Sequence, residues 1–259
     1  ALQVALPELC VLDPASGPAN RRAREVAGSL VASWPADRPL RILEIGAGTG
    51  GLTGALLPVL PRERTRYTFT DVSDAFFAKA ADRFASYDFV DHRRLDIDRD
   101  PAEQGFPPGR SDLVVAANSL HATPDLRRSL RHMAALLGDG GHLMLLESEE
   151  LRTKLLPWGL FDDYWTFTDT DLRTSAVVSG PRLRPLLAEC GFGDVTVPYG
   201  NGDLTLTLAR RTDAPAPCAA ARAAATQPWL VLPEAPDEEP PAADPAAPPH
   251  GQGLHPPGA

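Results

Sequence analysis

Residues able to do chemistry gather where apolar runs end in the first half of the chain. The first run leads into residues 43–51, LEIGAGTGG, whose glycines at positions 46, 48 and 51 fit the spacing G-x-G-x-x-G. Glycines in a turn between a strand and a helix let backbone N–H groups come close to a ligand. The stretch therefore predicts a binding turn for a cofactor that contains adenosine.

Three carboxylates help to identify the class of cofactor. Glu44 precedes the glycines, where it would repel the pyrophosphate of a dinucleotide and suit a ligand with ammonium and sulfonium groups. Asp71 ends the second apolar run and can accept hydrogen bonds from both ribose hydroxyls of either kind of cofactor. Asp96 ends the third run, where it can take an adenine amino group, with Ile97 against the ring.

The glycine spacing is a weak signal by itself. We predict a cofactor site from the whole set, which comprises Glu44, Gly46, Gly48, Gly50, Asp71, Val72, Asp96, Ile97 and Asn118. Asn118 follows the fourth apolar run and either lines the cofactor or closes the strand.

Strands and helices must alternate to position these residues. Strands are predicted at 41–45, 66–70, 90–95, 111–118, 142–147, 194–199 and 204–211, and helices at 20–33, from the glycine turn to about 60, at 73–85, 124–137 and 182–190. Alternation of this kind predicts a parallel sheet, and the Gly-Asn-Gly turn before the last strand predicts an antiparallel hairpin. The expected fold class is α/β: a Rossmann-like, seven-stranded, mostly parallel sheet with a C-terminal antiparallel hairpin and helices on both faces.

Composition divides the chain into three parts. Residues 1–36 are a short helical approach segment, 37–211 are the α/β core, and 212–259 hold 12 of the 27 prolines. The last part also carries six acidic residues and one arginine, so we predict an acidic Pro/Ala-rich linker. Within it, residues 227–234 (QPWLVLPE) read as an isolated strand-like fragment.

The remaining composition excludes several classes of protein. A net charge of −9 without a basic stripe argues against a nucleic-acid partner. Three scattered cysteines (Cys10, Cys190 and Cys218) form no disulfide framework and no metal motif, which favours a reducing, cytoplasmic location. The histidines show no metal-ligand spacing, and no apolar run is long enough for a membrane span.

Longer stretches extend the pattern beyond single residues. LRILEIGAGTGGLT, YTFTDVSDAFFAKAADRF, LDIDRDPAEQGF, SDLVVAANSLHATPDL and GHLMLLE together resemble the S-adenosylmethionine-dependent methyltransferase domains of polyketide synthases, in the class I methyltransferase superfamily. The resemblance covers residues 40–211. It implies S-adenosylmethionine as cofactor and, as partners, other synthase domains and an acyl carrier protein whose phosphopantetheine arm bears the acyl chain.

The resemblance also implies a catalytic pair. In carbon-methylating members the substrate is a β-ketoacyl thioester, and a base must remove the α-proton before the methyl group is attacked. His121 follows the fourth strand and Glu147 ends the fifth, so both are expected at the carboxyl edge of the sheet. The resemblance assigns His121 as the base and Glu147 as its partner.

Other interpretations of these residues stay open. A lone histidine at a strand end is commonly a surface or capping residue, and Glu147 could instead pair with Arg152. An oxygen methyltransferase with the same histidine, or a catalytically silent scaffold, would carry a similar sequence. The mixed aromatic stretch at 158–167 is either core or a lid over the acyl channel.

The sequence also departs from the family. The family's Gly-Trp-Trp motif is replaced by Asp163, Tyr164 and Trp165, and only residues 1–36 correspond to the N-terminal lid. These departures bear on the substrate more than on the cofactor.

Overall fold

A computed structural model describes residues 16–148, 165–178, 180–200 and 204–212 of the chain. These residues form a seven-stranded sheet of order β3-β2-β1-β4-β5-β7-β6. The strands are β1 Leu40–Ile45, β2 Thr65–Asp71, β3 Val90–Arg94, β4 Ser111–Ala117, β5 Leu137–Ser148, β6 Phe192–Gly200 and β7 Leu204–Arg211. The α-helices are α1 Ser16–Ser33, α2 Gly51–Leu56, α3 Phe77–Arg83, α4 Leu126–Leu136 and α5 Gly180–Glu189.

The first five strands run parallel, and β1 lies at the point where the strand order reverses. Its neighbours are β2 on one side and β4 on the other, both parallel to it. The carboxyl ends of adjacent parallel strands meet at one edge, and ligands of open α/β sheets bind at such a reversal. The connections that follow β1, β2, β3 and β4 are thereby brought to the same edge, where β5 also ends.

Among the described strands, the last one along the chain, β7, is the reversed one. It pairs antiparallel with β5 on one side and with β6 on the other. This confirms the expected Rossmann-like, mostly parallel sheet with an antiparallel C-terminal pair.

Both faces of the sheet are covered by helices, as expected. On one face, Leu43, Val114 and Leu145 belong to the same buried cluster as Leu130 of α4 and Leu187 of α5. On the other face, Ala27 and Leu30 of α1 line a small apolar cavity together with Leu40 of β1 and Leu113 of β4. Side chains alternate between faces along a strand, so Glu44 points to the α1 side.

The turn after β1 needs glycine for two reasons. Gly46 and Gly50 have φ angles of 62° and 76°, a backbone conformation that is unfavourable for residues with a Cβ. Neighbouring atoms also come close: a Cβ on Gly46 would lie 2.5 Å from Cβ of Ser119, and one on Gly50 would lie 2.6 Å from Cε2 of Phe84. Gly51, which fits the G-x-G-x-x-G spacing, is not constrained in this way, because it begins α2 in ordinary helical geometry.

Several element boundaries differ from the predicted ones. Residues 138–141, which separate the helix predicted at 124–137 from the strand predicted at 142–147, belong to β5, where the register against β4 shifts between Ser111 and Leu113. The predicted helix at 73–85 is split: a 3₁₀ turn Asp74–Phe76, capped by the Ser73 hydroxyl, precedes α3. The helix and strand propensities of neighbouring residues do not reveal such breaks.

Some predictions fall on other parts of the chain. The segment before residue 16, most of the aromatic stretch at 158–167, turn residues 201–203 and the linker from residue 213 with its strand-like fragment lie outside the described residues. Among the helices that are described, none has the length and apolar character needed to cross a membrane.

The two adjacent glycines give a matched stability test. We expect Gly50→Ala to lower the free energy of unfolding by about 1–3 kcal/mol, because its backbone is left-handed and its Cβ would contact Phe84. We expect Gly51→Ala to raise it by about 0.5–1 kcal/mol, because that position is helical and has no atom of the described chain within 4 Å of the added Cβ. Urea denaturation of both variants measures the difference. Equal changes in the unfolding free energy of the two variants would contradict the conclusion that position 50, and not position 51, requires glycine.

Candidate active site

His121 and Glu147 meet at the carboxyl edge of the sheet. His121 lies in the 3₁₀ turn Leu120–Ala122 after β4, and Glu147 is the penultimate residue of β5. The Nδ1 atom of His121 is 2.9 Å from Oε2 of Glu147. A carboxylate in this position favours the tautomer with hydrogen on Nδ1, which makes Nε2 the proton acceptor of the neutral ring.

Glu147 is fixed by the backbone of the same turn. Its Oε1 accepts hydrogen bonds from the backbone N–H groups of Ser119 at 3.0 Å and Leu120 at 2.8 Å. Both oxygens are thus engaged by the turn that carries His121, and the carboxylate is almost fully buried. Orientation of the imidazole is therefore set by the end of β5.

The end of β4 is also tied to the glycine turn. The hydroxyl of Ser119 donates to the carbonyl oxygen of Ile45 at 3.1 Å, and Ser119 packs on Gly46. Asn118 has a left-handed φ of 49°, and its side-chain oxygen accepts from the hydroxyl of Ser148 at 2.9 Å. Asn118 therefore shapes this edge through its backbone and its link to β5, and its half-buried side chain lies where the cofactor site is predicted.

Asp71 holds the glycine turn from the neighbouring strand. Its Oδ2 accepts a hydrogen bond from the backbone N–H of Gly48 at 3.0 Å, and its Oδ1 accepts one from the backbone N–H of Ser73 at 2.9 Å. Val72, the next residue, is 55% exposed. A Cβ on Gly48 would meet only the Gly46 carbonyl oxygen, at 4.0 Å, among the described residues. The turn thus has an open side beside a carboxylate and an exposed apolar side chain.

Glu44 lies beneath this turn and is only 1% exposed. Its Oε2 accepts hydrogen bonds from the hydroxyls of Thr53 in α2, at 2.5 Å, and Tyr67 in β2, at 2.7 Å. Burial raises the pKa of Glu44 from 4.5 to about 7, and the two hydroxyls partly oppose this rise. The carboxyl group therefore joins β1, β2 and α2 under the turn.

Asp96 and Ile97 follow β3 on the same edge. Asp96 is half-buried, and its Oδ1 accepts from the backbone N–H of Asp98 at 3.0 Å. Ile97 is buried in the core cluster, and its carbonyl oxygen lies 2.7 Å from Nδ1 of His132. A side-chain oxygen of Gln104 fixes the Asp96 backbone N–H at 2.9 Å, so the segment is well held.

The segment 165–178 adds a buried ion pair that the sequence analysis missed. Arg173 lies 2.6 Å from Asp169, and both side chains are buried. The sequence does place an acid and a base four residues apart in DTDLR. That spacing predicts an ion pair only in a helix, and this stretch has no helical pattern. Thr53 and Tyr67, the partners of Glu44, were missed as well, because strand and helix patterns predict elements and not side-chain pairs.

The arrangement combines the oriented imidazole of His121, after β4, with the glycine turn that follows the adjacent strand β1. Within the described residues no group of histidine, cysteine or carboxylate side chains is arranged to hold a metal ion. The Nε2 atom of His121 can accept a proton, and the same edge of the sheet carries a glycine turn with open space at Gly48 and the exposed side chain of Val72 nearby.

Comparison with known proteins agrees with this geometry. Residues 43–143 match the family model described as a methyltransferase domain. The polyketide synthase component of lovastatin nonaketide synthase from Aspergillus terreus is 41% identical over 182 residues, which are 69% of this chain and 6% of that protein. The chain therefore spans only a small part of this curated relative.

Two solved methyltransferase structures are also similar to this chain. The CurJ carbon methyltransferase is 37% identical with a TM-score of 0.71, over 74% of this chain and 54% of that one. The trans-methyltransferase CalH, solved in complex with SAH, is 34% identical with a TM-score of 0.65, over 73% of this chain and 55% of that one.

The raised pKa of Glu44 predicts a pH-dependent stability. In the unfolded chain this group ionises near pH 4.5, whereas in the folded protein it keeps its proton until about pH 7. The folded state therefore binds more protons in this window, and its contribution to stability falls as the pH rises, by about 3 kcal/mol in total. Glu44→Gln keeps an acceptor for both hydroxyls and cannot titrate.

Chemical denaturation between pH 4.5 and 8 measures this contribution. We expect the unfolding free energy of the wild type, minus that of Glu44→Gln, to decrease steadily across the range. Parallel pH curves for the two proteins would show that Glu44 ionises normally in the folded state.

Proposed function

Because the chain belongs to the S-adenosylmethionine-dependent methyltransferases, we propose that it is the carbon methyltransferase domain of a polyketide synthase. The substrate is a β-ketoacyl chain carried on the phosphopantetheine arm of an acyl carrier protein, and the methyl group goes to the α-carbon. The observation that carries this proposal is the 2.9 Å contact between His121 and Glu147 beside the glycine turn. The similarity to a carbon methyltransferase supports the choice of acceptor atom.

The cofactor would be held along the edge formed by β1, β2 and the segment after β3. The backbone of Gly46, Gly48 and Gly50 presents its open side, Asp71 accepts from ribose hydroxyls, and Val72 offers apolar contact. Asp96 and Ile97 take the adenine, and Asn118 lies at the methionine end. Glu44 acts from below, because its carboxyl group holds Thr53 in the helix that follows the turn.

The open space at Gly48 and the exposed Val72 fit such a ligand. When bound, S-adenosylmethionine supplies an electrophilic methyl group on a sulfonium. Asp71 already accepts one bond from the turn and one from Ser73, so each of its oxygens has capacity left for a hydroxyl donor.

His121 acts on the substrate as general base. Its neutral ring donates the Nδ1 hydrogen to Glu147, and Nε2 takes the α-proton that lies between the two carbonyl groups. The electron pair of the broken C–H bond delocalises onto the carbonyl oxygens. Bound S-adenosylmethionine would supply the methyl group for the new C–C bond, and its S–CH3 bond would break to leave S-adenosylhomocysteine (SAH). Glu147 stabilises the imidazolium that results, in the way that a carboxylate supports the histidine of a catalytic triad.

The proposal predicts a strong effect at His121. His121→Ala should lower methyl transfer about 10²–10⁴-fold, because the base is lost, while SAH binding stays within about twofold of the wild type. Glu147→Gln should give an intermediate rate, because it keeps a partner but loses the charge. Mass spectrometry of carrier-bound 3-ketoacyl and 3-hydroxyacyl chains measures transfer, and calorimetry measures binding of SAH.

A control and a second assay separate the alternatives. His142→Gln changes a histidine in the middle of β5, five residues before Glu147 and on the other face of the strand, and should leave the rate unchanged within about twofold. In D₂O without methyl donor, the wild type should exchange the α-hydrogens of the 3-ketoacyl chain in a reaction that needs His121. Transfer to the 3-hydroxyacyl chain alone would favour an oxygen methyltransferase, and failure to bind S-adenosylmethionine or SAH would point to a silent scaffold.

A further inference from the structure

The turn that carries His121 is held on a second side by Arg173. The side chain of Arg173 is fully buried, and its Nε lies 2.6 Å from Oδ1 of Asp169. A buried ion pair is costly unless further hydrogen bonds satisfy both ions. The remaining donors of Arg173 therefore indicate what the pair is for.

Those donors bind backbone carbonyl groups on both sides of the catalytic turn. Nη1 donates to the carbonyl oxygen of His121 at 3.2 Å and to that of Ala176 at 2.8 Å, and Nη2 donates to that of Thr123. The planar guanidinium also lies 5.0 Å from the centre of the Phe167 ring. One side chain thus fixes the backbone of the base and the residue two positions after it.

Asp169 extends the same contact to α4. Its Oδ2 accepts from the backbone N–H of Leu126 at 2.9 Å, at the first residue of α4, where a carboxylate is favourable. The backbone N–H of Thr168 donates to the carbonyl oxygen of Pro124 at 2.8 Å. The segment 165–178 therefore binds the whole connection from His121 to Leu126.

The turn is thus held between two ions. Glu147 binds the imidazole and the N–H groups of Ser119 and Leu120 from the sheet, and Arg173 binds carbonyl oxygens from the other segment. We propose that Arg173, oriented by Asp169, is a positioning residue that sets the place of the His121 imidazole. The proposal rests on the role of His121 as base.

Lysine should not replace arginine here. Its ammonium could keep the charge near Asp169, but it lacks the planar fork that reaches several acceptors at once. We expect Arg173→Lys to lower both methyl transfer and α-hydrogen exchange by about 10²-fold, because a small displacement of the base has an effect of this size. SAH affinity should stay within about twofold, because Arg173 has no contact with the glycine turn or with Asp71.

Arg64→Lys is the matched control. Arg64 also donates to backbone carbonyl oxygens, those of Pro35 and Arg38, but it lies at the amino end of β2. Its substitution should leave methyl transfer, α-hydrogen exchange and SAH affinity unchanged within about twofold.

A double-mutant cycle distinguishes positioning from general structural support. If Arg173 acts through His121, Arg173→Lys should have no further effect on the residual rate of His121→Ala. An equal loss in both backgrounds, or a loss of SAH affinity, would overturn the proposal. Should Arg173→Lys fail to fold, Asp169→Asn combined with Arg173→Gln removes both charges and takes its place in the cycle.

A spectroscopic measurement makes the test independent of activity. The Nδ1 proton shared with Glu147 should give a downfield proton NMR resonance that disappears in His121→Gln. We expect this resonance to shift or broaden in Arg173→Lys and to be unchanged in Arg64→Lys. If the wild type neither transfers methyl groups nor exchanges α-hydrogens, the proposed function fails, and this resonance alone decides the positioning role. An unchanged resonance in Arg173→Lys would refute the positioning role.

Discussion

The hydrogen bonds that Glu147 accepts from a single turn are the interaction on which the candidate site depends. The carboxylate at the end of β5 is almost fully buried, so its lone pairs must be satisfied by neighbouring chain. The turn after β4 supplies those donors from its backbone and from His121. These hydrogen bonds offset the cost of burying the carboxylate, and they also order the turn that carries His121.

The same principle recurs across this edge of the sheet. Asp71, at the end of β2, binds the turn after β1, and Glu44, inside β1, binds the helix that follows that turn. The connections after β1, β2 and β4 are thus each held by an acidic residue at the end of a strand, either their own or a neighbouring one. Loops positioned in this way behave as part of the sheet, which suits a site where a fraction of an ångström affects rate.

Sequence reasoning located these acids because it needed only the ends of strands. Asp71, Asp96, His121 and Glu147 follow or end apolar runs, and the carboxyl ends of parallel strands meet whatever the details of packing. The burial of Glu44 could not be foreseen from residue spacing. It depends on which face of β1 the side chain points to, and on the hydroxyls of Thr53 and Tyr67 that meet it there. Assigning these residues to cofactor and catalysis stays a prediction.

Other features depended on long-range packing. Gly50 rather than Gly51 is constrained because the ring of Phe84, more than thirty residues later, closes on it. Arg173 is buried by contacts with a turn some fifty residues earlier, and nothing in its own segment indicates this. Residues 138–141 look like a turn by composition, yet they continue β5 through a change of register. In each case tertiary contacts override the local pattern.

The place of β7 has a consequence for the order in which the domain assembles. This strand is the last described one in the chain, but it lies inside the sheet, between β5 and β6. Until it has left the ribosome, β5 exposes an unpaired edge and β6 has no strand to join, so the half of the sheet that carries Glu147 stays open during synthesis. The part of the sheet that carries Glu147 can therefore be completed only after residues 204–211 have been translated.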